Sequence, residues 1–132
     1  MEDEHKYTLS FRVEEKHLAI NIGSGDVPVL ASPVLFMFME QASMRLAEKS
    51  LPEGSTTVGS FLSATHLKPS IEGKKIYVTS ELVQKEGRKL LFKAQAFEEE
   101  NIIGEGTHVR YIVDKEQFLQ KTLLKKIETV GT

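Results

Sequence analysis

The segment SPVLFMFMEQASMRLAEKSLPEG, residues 32–54, constrains this chain more than any other. Ser32 suits an N-cap, where a hydroxyl satisfies one of the orphan N–H groups of a helix start. Pro33 suits the first helical position, where its missing N–H costs nothing. Val34 to Lys49 contains neither glycine nor a further proline, and Pro52 and Gly54 end the run. Val34 to Met39 are six consecutive apolar residues, so the first turns are apolar on every side. Such a helix is enclosed by other elements rather than laid on a surface. Its last turn, Arg45 to Ser50, is polar and predicts an end that reaches solvent.

Strands supply the enclosure. Tyr7, Leu9, Phe11 and Val13 alternate with polar residues, the period of a half-buried strand. A short apolar stretch, Lys16 to Ile20, leads into NIGSGD, whose two glycines and Asp predict a loop, and Val27 to Ala31 is a brief extended piece. Four strand-like segments follow the helix: Thr56–Lys68, Lys74–Lys85, Lys89–Glu98 and Ile102–Val113. PSIEG, EGR and EEEN separate them as turns. Same-parity sets such as Leu90, Phe92, Ala94 and Ala96 mark buried faces, and the short connections predict antiparallel neighbours. Asp114 and Gln117 form a capping box for a last helix, with Phe118, Leu119, Leu123 and Ile127 as its inner face. The fold class expected is α+β, a long antiparallel β-sheet wrapped around one central buried helix, with a short C-terminal helix. Thr56–Lys68 is apolar on both parities (Phe61 and Leu67 against Leu62 and Ala64), which predicts a homodimer.

A chain of 132 residues with 40% apolar content builds one domain, residues 1–132, without staples. Val27 to Met39 is broken by Ser32 and is too short to span a bilayer, and the polar start MEDEHKYTLS is no secretory signal. The net charge is −2, and the densest basic stretch, KTLLKK at residues 121–126, reads as the solvated face of a terminal helix. Neither nucleic acid nor membrane is an expected partner. With no cysteine there is no disulfide, zinc thiolate or cysteine nucleophile, and a cytoplasmic location fits.

Several polar residues do not belong to this packing scheme. Glu40 follows the six apolar residues, so it faces water, is paired or protonated, or lines a cavity. His66 is a core histidine bonded to a neighbouring carbonyl, or a proton carrier. His108 is a rival with a structural or substrate-edge role. Arg110 shares its strand face and is a partner for an acid. Gly59 interrupts a strand, which marks a bulge or the close approach of another group. An acid, a bare backbone N–H and a histidine together offer a base or nucleophile, an oxyanion donor and a proton carrier. Gly59 and His66 are seven residues apart, so a regular strand points them to opposite faces, and a bulge between them would bring them to one face.

These residues carry a resemblance. SPVLFMFMEQAS, TTVGSFLSATHLKPS and GEGTHVRYIVDKEQF resemble the hotdog-fold acyl-CoA thioesterases, and among them the fluoroacetyl-CoA thioesterase family, from about Val27 to Phe118. The intervals of 8 residues from Ser32 to Glu40, 19 to Gly59, 7 to His66 and 44 to Arg110 are similar to the family's. The resemblance implies a catalytic group of Ser32, Glu40 and His66. It implies that the Gly59 N–H meets the thioester oxygen and that Arg110 organises the site or pairs with a carboxylate. Ser32 stands where the family has threonine, and Val13 to Leu30 offer no position-by-position match to the family's apolar lid, so no fluorinated substrate is carried over. The implied reaction is hydrolysis of an acyl-CoA to a carboxylate and free CoA, with Glu40 as nucleophile or general base. CoA is then part of the substrate, and neither a separate cofactor nor a metal is implied. The resemblance also implies a site between two subunits of a homodimer, with pairing into tetramers left open. Lys68, Lys74, Lys75, Arg88 and Lys89 are candidates for the CoA phosphates, though each reads more readily as solvated surface charge. Competing readings on the same fold are a non-catalytic acyl-CoA or small-ligand binding module and a hydratase or dehydratase.

Overall fold

The computed structural model describes residues 5–131, with side chains to residue 124. Residues 1–4 of the acidic start, and the Ile127 side chain expected on an inner face, lie outside what is described. Strand β1 spans Lys6–Arg12 and is followed by a 3-10 turn at Glu15–His17 and a four-residue helix α1 at Ala19–Ile22. Gly23, in the left-handed region at φ 92°, ends α1. The central helix α2 runs Ser32–Glu48, and strands β2 (Ser55–His66), β3 (Lys75–Glu86), β4 (Lys89–Glu98) and β5 (Asn101–Asp114) lead to α3 (Lys115–Gly131).

All five strands form one antiparallel sheet in the order β1-β3-β4-β5-β2. The short links EGR and EEEN join direct neighbours, as expected. PSIEG does not: β2 pairs with β5 at one edge, and β3 lies two strands further in. The chain between them passes the start of α2, where the Leu30 N–H donates to the Ser70 carbonyl at 2.8 Å.

The sheet curves over α2. Val34, Leu35, Met39 and Ala42 pack against Ile76, Val78, Ala94, Ala96 and Ile103. Glycine lets the layers meet: a Cβ on Gly104 would stand 2.9 Å from Leu35 Cδ2, and one on Gly106 would stand 2.7 Å from the Ser63 carbonyl oxygen of β2. The last turn of α2 is not wholly polar as expected, because Leu46 and Ala47 are buried with Leu90 and Phe92 in a second cluster. Nor is the first part wholly enclosed. Met37 is 49% exposed, and Phe36, Glu40, Gln41 and Met44 are half-buried on the same side of the helix. That side overlooks the β2 edge of the sheet, where the Phe36 ring meets the His66 ring and Glu40 approaches Gly59.

Asp114 caps α3 by accepting from the Gln117 N–H at 2.9 Å. The inner face expected for α3 is corrected: Phe118, Leu119 and Leu123 are all exposed. Among the described residues no helix is long and apolar enough to cross a membrane.

Candidate active site

Helix α2 begins one residue earlier than the sequence suggests. Ala31 is the N-cap, Ser32 occupies the first helical position and Pro33 the second. The Ser32 hydroxyl therefore caps nothing; it hydrogen-bonds His66 Nδ1 at 2.7 Å. His66 Nε2 is buried and has no hydrogen-bond partner among the described residues. The pair opens on a cleft of about 370 Å³ lined by Ala19, Val27, Val29, Pro33, Leu67 and Lys68. An apolar cleft of that size with a few convergent polar atoms is the usual form of a small-molecule site.

Glu40, Gly59 and Arg110 form a second group. Gly59 lies opposite Arg110 in the β2–β5 ladder. A Cβ on Gly59 would stand 3.3 Å from Glu40 Oε2, 3.3 Å from Arg110 Nη1 and 3.2 Å from His108 Cε1. Three polar side chains thus converge on this bare stretch of backbone. Arg110 is 7% exposed and donates from Nε to Thr57 Oγ1 at 2.8 Å and from Nη2 to the Thr57 carbonyl at 3.0 Å. Burial pushes its guanidinium below the ordinary arginine value, and the charges of Glu40 and Glu48 oppose that shift. His108 and Thr57 are members of this group that the sequence did not assign to it.

The two groups sit apart in one chain. Eight residues of helix separate Ser32 from Glu40, roughly 12 Å of rise. Along β2, Gly59 and His66 are paired with Arg110 and Gly104, six positions of β5, or about 20 Å of strand. The same register answers the parity question. It shifts between Gly59 and Phe61, leaving Ser60 as an extra residue in a bulge. Positions 110 and 104 share parity, so Gly59 and His66 share a face after all.

Burial lowers the His66 pKa below its ordinary 6.5, with the Lys68 backbone pulling the other way. His108 is also lowered, first by burial; its bond to Phe61 and the Glu40 charge raise it, and the Arg110 charge lowers it. A base whose folded pKa is depressed is protonated more readily in the unfolded chain. Its contribution is fully present above pH 6.5 and is lost as pH falls through the lower folded value. Thermal unfolding should therefore occur at a lower temperature at about pH 5.5 than at about pH 7.5, and His66→Ala should flatten the difference.

A family model described as fluoroacetyl-CoA-specific thioesterase matches residues 13–116. The fluoroacetyl-CoA thioesterase of Streptantibioticus cattleyicolor is 32% identical over 97 residues, covering 74% of this chain and 70% of that protein. A crystal structure of a fluoroacetyl-CoA-specific thioesterase superposes with a TM-score of 0.85 at 27% identity, covering 95% of this chain and 97% of the other. A hot-dog-like protein from Thermanaerovibrio acidaminovorans, 18% identical, shares the fold with a TM-score of 0.82 over 92% of this chain and 89% of its own. The sheet-wrapped helix is therefore the hotdog fold, and by the match from the 3-10 turn after β1 through the central helix and all four later strands the chain belongs to the fluoroacetyl-CoA-specific thioesterase family and is a thioester hydrolase.

Proposed function

We propose that the protein hydrolyses acyl-CoA thioesters to a carboxylate and free CoA at sites built from two subunits. The observation that carries this reading is the division of the candidate residues into two groups within one chain. Ser32 and His66 stand at one end of β2, and Glu40, Gly59 and Arg110 stand at the other. β2 is an edge strand of 12 residues with exposed Gly59, Ser60 and Phe61. Pairing it antiparallel with its copy about a two-fold axis at Ser63 sets Gly59 opposite His66 of the partner subunit, because the Ser60 bulge makes the two positions equidistant from Ser63 in the ladder. The half-buried side of α2 around Met37 and Glu40 then meets the partner, which accounts for apolar residues that its own sheet leaves uncovered.

In such a site the acyl group occupies the cleft beside Ser32 of the partner subunit and the thioester carbonyl lies against the Gly59 N–H, which stabilises the developing oxyanion. The positive end of the helix at Ser32 of the partner subunit adds to that field. Glu40 attacks the carbonyl carbon, the C–S bond breaks to give a mixed anhydride and water then hydrolyses that anhydride to restore Glu40, or Glu40 takes a proton from a water that attacks the thioester directly. His66 of the partner subunit gives a proton to the departing CoA thiolate, and Ser32 of the partner subunit fixes its ring through Nδ1. Complexes of the related thioesterase with fluoroacetate and CoA, and of a threonine-to-serine variant with acetyl-CoA, are in keeping with a short acyl-CoA here.

Thiol release measured across a panel of short, branched and aromatic acyl-CoAs tests the reaction. Stoichiometric CoA and carboxylate are the expected products. Hydration of an enoyl-CoA without thiol release, or saturable binding of the panel without turnover, contradicts it.

A further inference from the structure

His108 lies outside the reacting groups proposed above, yet it is 1% exposed and sits against them. Its Nδ1 is 2.7 Å from the Phe61 carbonyl oxygen. A carbonyl only accepts, so Nδ1 carries the proton. In the neutral ring that leaves Nε2 as an acceptor, and it faces Arg110 Nη1 at 3.1 Å, a group that only donates. The guanidinium is thus held from three directions: Thr57 Oγ1 on Nε, the Thr57 carbonyl on Nη2 and His108 Nε2 on Nη1. A planar fork with each of its three nitrogens engaged has one orientation. In that orientation Nη1 and Glu40 Oε2 stand at equal distance from the Gly59 Cβ position.

We infer that His108 is a positioning residue: its Nε2 lone pair, with Thr57, locks the Arg110 guanidinium so that its Nη1 faces the Gly59 position that Glu40 Oε2 also faces, and thereby keeps the positive charge beside the reacting carboxylate. Resting on the reading of Glu40 as the reacting carboxylate, the inference assigns work to a histidine that the reaction itself does not use. Phe61, whose carbonyl sets the tautomer, is the residue just past the Ser60 bulge. The bulge that brings Gly59 and His66 to one face therefore also adjoins the carbonyl that selects the acceptor nitrogen.

Two amides separate the acceptor from mere packing. In His108→Gln the side-chain amide reaches the Nε2 position and offers Arg110 an oxygen. In His108→Asn it reaches only the Nδ1 position, keeping the Phe61 bond and leaving Arg110 unmatched. The expected result is kcat within roughly threefold of wild type for His108→Gln and at least about tenfold lower for His108→Asn, with KM little changed in both. Thr57→Val, which removes the Nε acceptor at nearly constant volume, should lower kcat in the same way. If His108→Asn folds and turns over at the wild-type rate, or if His108→Gln is as impaired as His108→Asn, the inference is wrong. If His108→Asn does not fold, a wild-type kcat for Thr57→Val overturns it and a lowered kcat supports it. Glu40→Gln at wild-type turnover would sink the underlying reading instead, whatever His108 does.

Discussion

Glu40→Gln should lower acyl-CoA turnover by about 10²-fold or more while the protein unfolds at nearly the same temperature. The substitution keeps the shape of the side chain and removes its charge, so it takes away both a carboxylate nucleophile and a general base. What the fold loses is one of the two carboxylate charges that favour the buried Arg110 guanidinium, and Glu48 retains the other. Glu40 is half-buried beside Gly59 at the β2 edge of the sheet. Arg110 keeps both Thr57 bonds and the His108 bond when the Glu40 charge is gone. The contrary outcome, a wild-type rate with a fall in stability, would make Glu40 a structural acid that holds Arg110 in place.

His66→Ala should cost a similar factor in turnover and leave stability equal or higher. Its buried Nε2 has no hydrogen-bond partner among the described residues. A polar atom kept out of water without a partner is a cost to folding, tolerated where it has work to do. Removing the ring also removes a depressed-pKa base, so the variant gains relative stability at low pH. A satisfied core histidine behaves oppositely, losing stability on truncation and leaving turnover alone.

The fold was legible because its elements are strongly patterned. The ends of α2 follow from Pro33, Pro52 and Gly54, and β4 occupies the range its alternation marks. Strand order was less so: alternation fixes which face is buried, but not which strand lies alongside, and PSIEG gives no sign that it crosses two strands. Ser32 went astray by one residue because its hydroxyl has a better partner in His66, 34 residues away, than any N–H of its own helix. The stripe of Phe118, Leu119 and Leu123 was periodic, yet periodicity says nothing of whether a partner surface exists. The five candidate site residues could be named from spacing and resemblance. That they divide between subunits was implied only by the resemblance, and a bulge stood only as one alternative; that Ser60 is the bulged residue, and which candidates group together, exist only in three dimensions. For the same reason His108 was ambiguous: nothing in EGTHVRYIV shows that its Nδ1 is tied to Phe61 and its Nε2 to Arg110.

The central claim is that Glu40 of one chain works with His66 of the partner subunit. Subunit exchange between inactive Glu40→Gln and His66→Ala homodimers tests it. In a mixed dimer one composite site carries both substitutions and the other carries neither. Random exchange makes half of the dimers mixed, so an equimolar mixture should regain about one quarter of wild-type thiol release per site. If subunits demonstrably exchange and no activity returns, Glu40 and His66 do not meet across the dimer, and the account is contradicted.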